Sequence, residues 1–511
     1  MMKNRHVGLA AALCVLAGAP ALPMLAQAEQ PAQAAPQAAA PRALPAASAA
    51  LSNAAALSNA AALSNAAALS NAAALSNAAV AEVVPIRWRR LRRARPQDED
   101  LEQARLLLLH AVRYNLDWIA RTFHEDAARR LLVMPGMGEA GIRPPCSAAL
   151  GIAVALQTGS FDEKIAGVSR REAVARLARL IKSVAAAHKA NGEPKGWGDA
   201  WQSALWAALL GQAGWMLWDD LDVESRQMLA RLVEFEADRF LAPGYVVPYW
   251  MSPEGKEIFR GDTKAEENAW NAMVLQVAVA MMPRHPRCER WKRAASELMV
   301  SAFSLRKDLE SNSTVLDGRP VRAWLKGFNV REDGGVINHG ILHPDYTSTP
   351  TLNLRAWLTQ SLAGQPVPQT ASFNAPFIYG TLAAHAWLSP PYKAPGGTMY
   401  IPGQAEVYYP TGTDWSRFRF DIFYLFDVQA AVLGFDSELP FKARGWMRLR
   451  ARKMLAMQAR HPDGRLYDAG EFDTYPGREQ LAAWQFGDAY LMQWLHAQNR
   501  LSPQANWLAS R

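Results

Sequence analysis

Asp199 to Leu221 reads D-A-W-Q-S-A-L-W-A-A-L-L-G-Q-A-G-W-M-L-W-D-D-L. From Ala204 to Trp218 nearly every position is apolar, and tryptophan recurs at 201, 206, 215 and 218. A helix at a protein surface keeps a polar back; this one has none, which predicts an inner helix covered on both sides. Its neighbours in the chain are different. Glu102–Phe123 carries Leu106, Leu109, Val112, Leu116 and Ile119 at helical spacing on one face, the mark of an amphipathic helix. Arg170–Lys189 reads as another, and Ser225–Phe240 follows with Asp222 or Ser225 as a cap. Lys264–Met282, Arg287–Phe303, Tyr346–Leu362, Ala375–Leu388, Asp414–Leu433, Phe441–Arg460 and Gln480–Asn499 continue the helical pattern. Strand alternation is confined to Gly244–Trp250 and Glu406–Tyr409, both short.

The expected class is all-α. Long Gly/Pro/aromatic loops between helices predict paired inner and outer helices closing into an (α/α) toroid or incomplete barrel, with the loops gathered at one rim. No short tandem repeat of an open solenoid is present within the helical part. A ring of helix pairs can grow without a thicker core, so residues 97–511 are read as one domain.

The rest of the chain is of another kind. Met1 to Ala28 has a secretory pattern: Lys3 and Arg5, an apolar run from Val7 to Ala19, then Ala26-Gln27-Ala28. Removal of this signal peptide and a periplasmic or secreted location are expected. Residues 29–96 form a low-complexity tail, expected to be disordered. Within it L-S-N-A-A-A repeats from Leu51 through Leu57, Leu63, Leu69 and Leu75. A period of six turns successive leucines by about 240° on a helix, so they share no face. Arg87 to Arg95, R-W-R-R-L-R-R-A-R, reads as a solvated linker end or a weak contact with an anionic surface.

The formal charge of +8 is concentrated in that tail. Residues 1–96 hold nine basic and two acidic side chains, which leaves 46 basic and 45 acidic ones in the remainder. A near-neutral domain gives no footprint for nucleic acid. No stretch beyond the leader suggests a membrane span. After the leader only Cys146 and Cys288 remain, either as a pair or as two separate buried thiols.

Chemistry is concentrated between Asn329 and Tyr346, N-V-R-E-D-G-G-V-I-N-H-G-I-L-H-P-D-Y. Gly334, Gly335, Gly340 and Pro344 oppose a helix. The segment is therefore a loop dense in groups for proton transfer: Arg331, Asp333, Asn338, His339, His343, Asp345 and Tyr346. His339 and His343 do not form a zinc motif, since H-E-x-x-H is absent and no third ligand presents itself. Neither a metal nor a cofactor is expected. Further loops and helix starts mix polar groups with Trp or Tyr, at 195–202, 245–250, 261–271 and 408–415. Aromatic faces stack on sugar rings while amides and carboxylates bind hydroxyls, which suits a glycan groove. Substrate contacts are expected at Trp197, Asp199, Trp250, Asn268, Asn271, Arg331, Tyr409 and Trp415. Glu267 and Asn271 share a face of the helix that opens at Lys264.

A helical toroid with Asn338-His339, then His343 and Tyr346, resembles the (α/α)-toroid polysaccharide lyases of the alginate, chondroitin and heparinase type. The resemblance implies Asn338 as neutraliser of a uronate carboxylate, His339 as base and Tyr346 as acid, with Arg331 or His343 assisting. The function it implies is β-elimination on a uronate-containing polysaccharide or oligosaccharide. A glycoside hydrolase on the same scaffold would instead need two carboxyl groups, from Glu267, Asp333, Asp345 and Asp414, with Asp199 as an outside candidate. A third reading is a non-catalytic periplasmic glycan-binding protein.

Overall fold

The computed structural model describes residues 82–92, 98–472 and 475–508. The chain divides into two units, 1–67 and 68–511, and every described residue belongs to the second. The expected signal peptide, the L-S-N-A-A-A repeat and Arg93 to Arg95 lie outside the described residues.

The described residues are mostly helical, an all-α arrangement in which strand pairing among those residues is confined to two-residue strands. Its principal helices are α1 Glu99–Thr122, α2 Glu139–Thr158, α3 Arg170–Ala186, α4 Ser203–Met216, α5 Val223–Asp238, α6 Ala265–Met281 and α7 Cys288–Ala302. They continue as α8 Pro350–Leu354, α9 Ala356–Ala363, α10 Ala375–Ala383, α11 Phe420–Leu433, α12 Ala443–Gln458 and α13 Arg478–Ala497. Side-chain caps start several of them: Asp98 accepts from Leu101 N, Ser169 from Glu172 N and Asp222 from Ser225 N.

Every residue of α4 is buried, as its uniform apolarity requires. α4 packs between α2 and α6, with α5 against it as well. α6 meets α8 and α9, α8 meets α11, α9 meets α13, and α13 meets both α11 and α2. The one-sided helices α1, α3, α5, α7 and α12 lie against this set. Between α2 and α13 the backbones come close: a Cβ on Gly151 would stand 2.6 Å from Ala483 O. Only glycine fits such an approach.

Helix α2 is absent from the sequence reading. Pro144 and Pro145 lie inside it, and each removes an amide donor, which masks the pattern. Burial of Ile142 through Leu156 outweighs those losses. The expected helix Tyr346–Leu362 is broken into Pro344–Thr347, α8 and α9, because Pro350 cannot continue a helix through its own amide. The helix expected from Asp414 begins instead at Phe420. Thr413 Oγ1 accepts from Trp415 N and Ser416 Oγ from Phe418 N, local bonds that compete with helical ones. Gly244–Trp250 and Glu406–Tyr409 form no strand, only isolated bridges nearby.

The folded unit also takes in residues 82–92, which composition assigns to the tail. Val83, Ile86 and Leu91 are buried. Val84 N donates to Met281 O at 2.8 Å, and Trp215 Nε1 donates to Val84 O at 2.8 Å. Apolar residues spaced among the arginines supply the anchor, while Arg87, Arg89 and Arg90 stay exposed. Cys146 and Cys288 are buried and not disulfide-bonded. No described helix is long and apolar enough to cross a membrane.

A buried ion pair ties three inner helices. The Arg355 guanidinium, at the start of α9, bonds Asp488 of α13 and Gln212 of α4, and both charged residues are sealed from solvent.

Candidate active site

The site is built on a hairpin of minimal length. Strands Ile337–Asn338 and Ile341–Leu342 pair antiparallel, with Asn338 opposite Ile341. The two linking residues, His339 and Gly340, have φ of 52° and 72°, as a two-residue type I′ turn demands. Histidine is among the side chains that tolerate this region. The turn is held by Asn338 Oδ1, which accepts from His339 N at 2.9 Å, and by Gly340 N, which donates to Gly261 O at 2.9 Å. The imidazole of His339 is left 44% exposed.

Around it the polar groups form a chain. His339 Nδ1 is 2.8 Å from Asp414 Oδ2, and His339 Nε2 is 3.4 Å from the Tyr346 hydroxyl. Asp414 Oδ1 is 3.1 Å from Nε2 of the fully buried His343. His343 Nδ1 lies 3.2 Å from Asp345 Oδ2, and Asp345 Oδ1 is 3.8 Å from the Arg419 guanidinium. That guanidinium lies over the Trp415 ring at 3.5 Å. Trp415 in turn packs on Tyr346 with ring centroids 4.9 Å apart. Seven of these groups come from two loops, 338–346 and 414–419, brought together by the helices they join.

The electrostatics divide the roles. Burial alone would raise the Asp414 carboxyl, but hydrogen bonds from His339 and His343 prevail and hold it below the ordinary carboxylate range. An anionic Asp414 favours the proton of His339 on Nδ1, which leaves the Nε2 lone pair facing Tyr346. The Tyr346 phenol is pushed far above its ordinary value by burial and then by Glu266, against the pull of Arg419. It therefore keeps its proton and is not an initial base.

Glu266, in the first turn of α6, shares a cavity of about 60 Å³ with Tyr346, Trp415, Arg419, Trp270 and Gln485. Burial, and next the adjacent Glu267, raise its carboxyl to about 8, against Arg419 and Arg143. It is protonated at neutral pH. The sequence reading passed it over for Glu267, which here accepts from Trp201 Nε1 at 3.2 Å and from Lys264 Nζ at 3.0 Å. The available signal was Trp270 on the same face as Glu266.

The structure brings together His339, His343, Asp345, Tyr346, Asp414 and Trp415, but other expected residues serve elsewhere. Trp197 is buried and donates to Val184 O at 2.8 Å, so it belongs to the core and offers no ring face to a ligand. Asn268 is buried and spends its amide on Pro248 O and Ser301 Oγ. Tyr409 is sealed beside Asp345 and offers no face to a substrate. Arg331 and Asp333 pair with each other at 2.6 Å and shape their own loop. Asn338 commits its oxygen to the turn. Trp250 donates to Glu257 at 2.9 Å, and the exposed Asp199 pairs with Arg239 at 3.0 Å. Asn271 is half-buried one turn beyond Glu267.

Trp201 is not among the expected substrate contacts, yet its ring is open to solvent. It is 60% exposed, its N–H is fixed by Glu267, and its ring meets Trp270 edge-on at 5.1 Å. The loop behind it is locked by buried Glu236, which accepts from Asp199 N at 2.6 Å, Ser203 Oγ at 2.8 Å and Arg239 at 2.6 Å. Gly198, at φ 118°, lets His188 occupy the space a side chain would need. Among the described residues no cluster of three or more ligating groups is placed to hold a metal ion. No protein family, curated protein or solved structure matches the chain.

Proposed function

We propose that the protein is an exported polysaccharide lyase that cleaves a uronate-containing glycan by β-elimination on an (α/α)-toroid scaffold. The observation that carries this reading is the 3.4 Å contact between His339 Nε2 and the Tyr346 hydroxyl, with the imidazole 44% exposed. His339 takes the C5 proton alpha to the uronate carboxylate, and the electron pair forms the C4–C5 double bond as the C4–O bond breaks. Tyr346 donates its proton to the departing oxygen. The reaction leaves an imidazolium beside a phenolate, and transfer of one proton across their contact restores both. The succession of helix contacts from α2 through α4, α6, α8, α9 and α11 to α13 and back to α2 supports the toroid. The leader-like start supports export.

The test is incubation of the full chain with alginate, chondroitin, heparin and neutral glycans. New reducing ends accompanied by the ultraviolet band of a C4–C5 enoate are expected. A hydrolase is the second reading, favoured by one observation: Glu266 is raised and Asp414 lowered, a separation suited to an acid and a base. Reducing ends without the enoate band would select it. Neither product would leave a glycan-binding protein.

Trp201 is expected to be a stacking platform for a neighbouring sugar. Trp201→Ala should cost about 0.5–1.5 kcal/mol of binding, a rise in KM of roughly 2- to 12-fold with kcat nearly unchanged. Steady-state kinetics check this, and an unaltered KM would remove Trp201 from the groove.

A further inference from the structure

The proposed elimination needs a group that neutralises the uronate carboxylate, and the resemblance assigns that task to Asn338. Asn338 is only 7% exposed and does not line the cavity beside Tyr346. We propose that Glu266 performs this task, donating the hydrogen of its neutral carboxyl to the substrate's carboxylate. The inference rests on the elimination reading and extends it to the recognition of an acidic sugar.

Geometry singles Glu266 out. It lines the cavity shared by Tyr346, Trp415 and Arg419, so a ligand carboxylate seated there lies beside the proposed acid Tyr346. Among the described residues it has neither a hydrogen-bond nor an ion-pair partner, whereas its neighbours Glu267 and Asp262 both bind Lys264. The charged and titratable groups facing it come from every side. They are Glu267 on its own helix, Asp262 before it, Arg143 of α2, Arg419 before α11, Tyr346, and Tyr475 before α13. Arg143 bonds Glu139 and Gln202, and Arg419 is held near Asp345 and over Trp415. They supply a positive background, and Glu266 supplies the contact.

A carboxylic acid meeting a carboxylate forms a charge-assisted hydrogen bond. Drawing charge from the substrate carboxylate stabilises the enolate that develops when C5 loses its proton. The ionised form would instead repel an anionic sugar. The sign of the pH effect follows. Glu266 carries its proton below about 8, so activity on a polyuronate falls as pH rises through that value.

The experiment compares wild type, Glu266→Gln and Glu266→Ala on alginate, chondroitin and heparin, reading the enoate band from pH 6 to 10. Glutamine is neutral, has nearly the same shape and can donate from its amide. Glu266→Gln is expected to keep turnover within about tenfold of wild type and to lose the alkaline fall. Glu266→Ala is expected to drop by about a hundredfold or more with an unchanged unfolding midpoint. A wild type that forms the enoate while Glu266→Gln is as inactive as Glu266→Ala would overturn this role and leave the elimination reading standing. So would an alkaline fall that persists in Glu266→Gln. Reducing ends without an enoate band, or no product from any polyuronate, would remove the elimination reading and this role with it.

Discussion

Turnover of a His339→Asn protein is expected to fall by roughly 10²- to 10⁴-fold, the usual contribution of a positioned general base. KM and the thermal midpoint should stay near their wild-type values. The choice of replacement follows from the backbone. His339 has φ of 52°, a conformation that costs alanine about 1 kcal/mol or more but suits asparagine. Asparagine keeps the turn and has no titratable nitrogen. Because the imidazole is 44% exposed and its polar contacts are with Asp414 and Tyr346, its loss should leave the core intact. Single-turnover measurement of product, alongside a melting curve, decides the matter. A variant within threefold of wild type would mean that another group takes the proton.

Asp488→Ala is expected to destabilise the fold by about 3–5 kcal/mol, because it strands the Arg355 charge in the interior. Neither partner reaches solvent, and Arg355 also holds Gln212, so the damage spans α4, α9 and α13. The paired replacement Arg355→Met with Asp488→Leu removes both charges and should lose far less than the single variant. Denaturant midpoints for the two proteins check the contrast. Equal losses would show that packing volume, and not the uncompensated charge, sets the cost.

Much of the architecture is legible because burial leaves a strong compositional trace. Helix α4 could be read from its unbroken apolarity alone. Helix α2 could not, since Pro144 and Pro145 imitate a break and only tertiary burial reveals that they are tolerated. The same holds at the start of the fold, where arginines hide the anchoring residues Val83, Ile86 and Leu91. In the site, His339 and Tyr346 are seven positions apart, and a hairpin followed by one helical turn brings them together. Asp414 is 75 positions from His339, and its service to two imidazoles is a product of tertiary contact. Glu266 and Glu267 are adjacent, about 100° apart on the helix, and only packing decides which enters the cavity. Trp197 and Trp201 lie in one loop. The turn at Gly198 and Asp199 sends the first inward and the second outward.

The brevity of the Asn338–Ile341 link has an evolutionary corollary. Side chains alternate sides along a ribbon, so one added or deleted codon there would exchange the two sides and swing the imidazole away from the phenol. Descendants of this gene can trade letters at that spot but not change its length. A relative carrying an insertion at that point should be presumed to have lost this chemistry or to have found a different base.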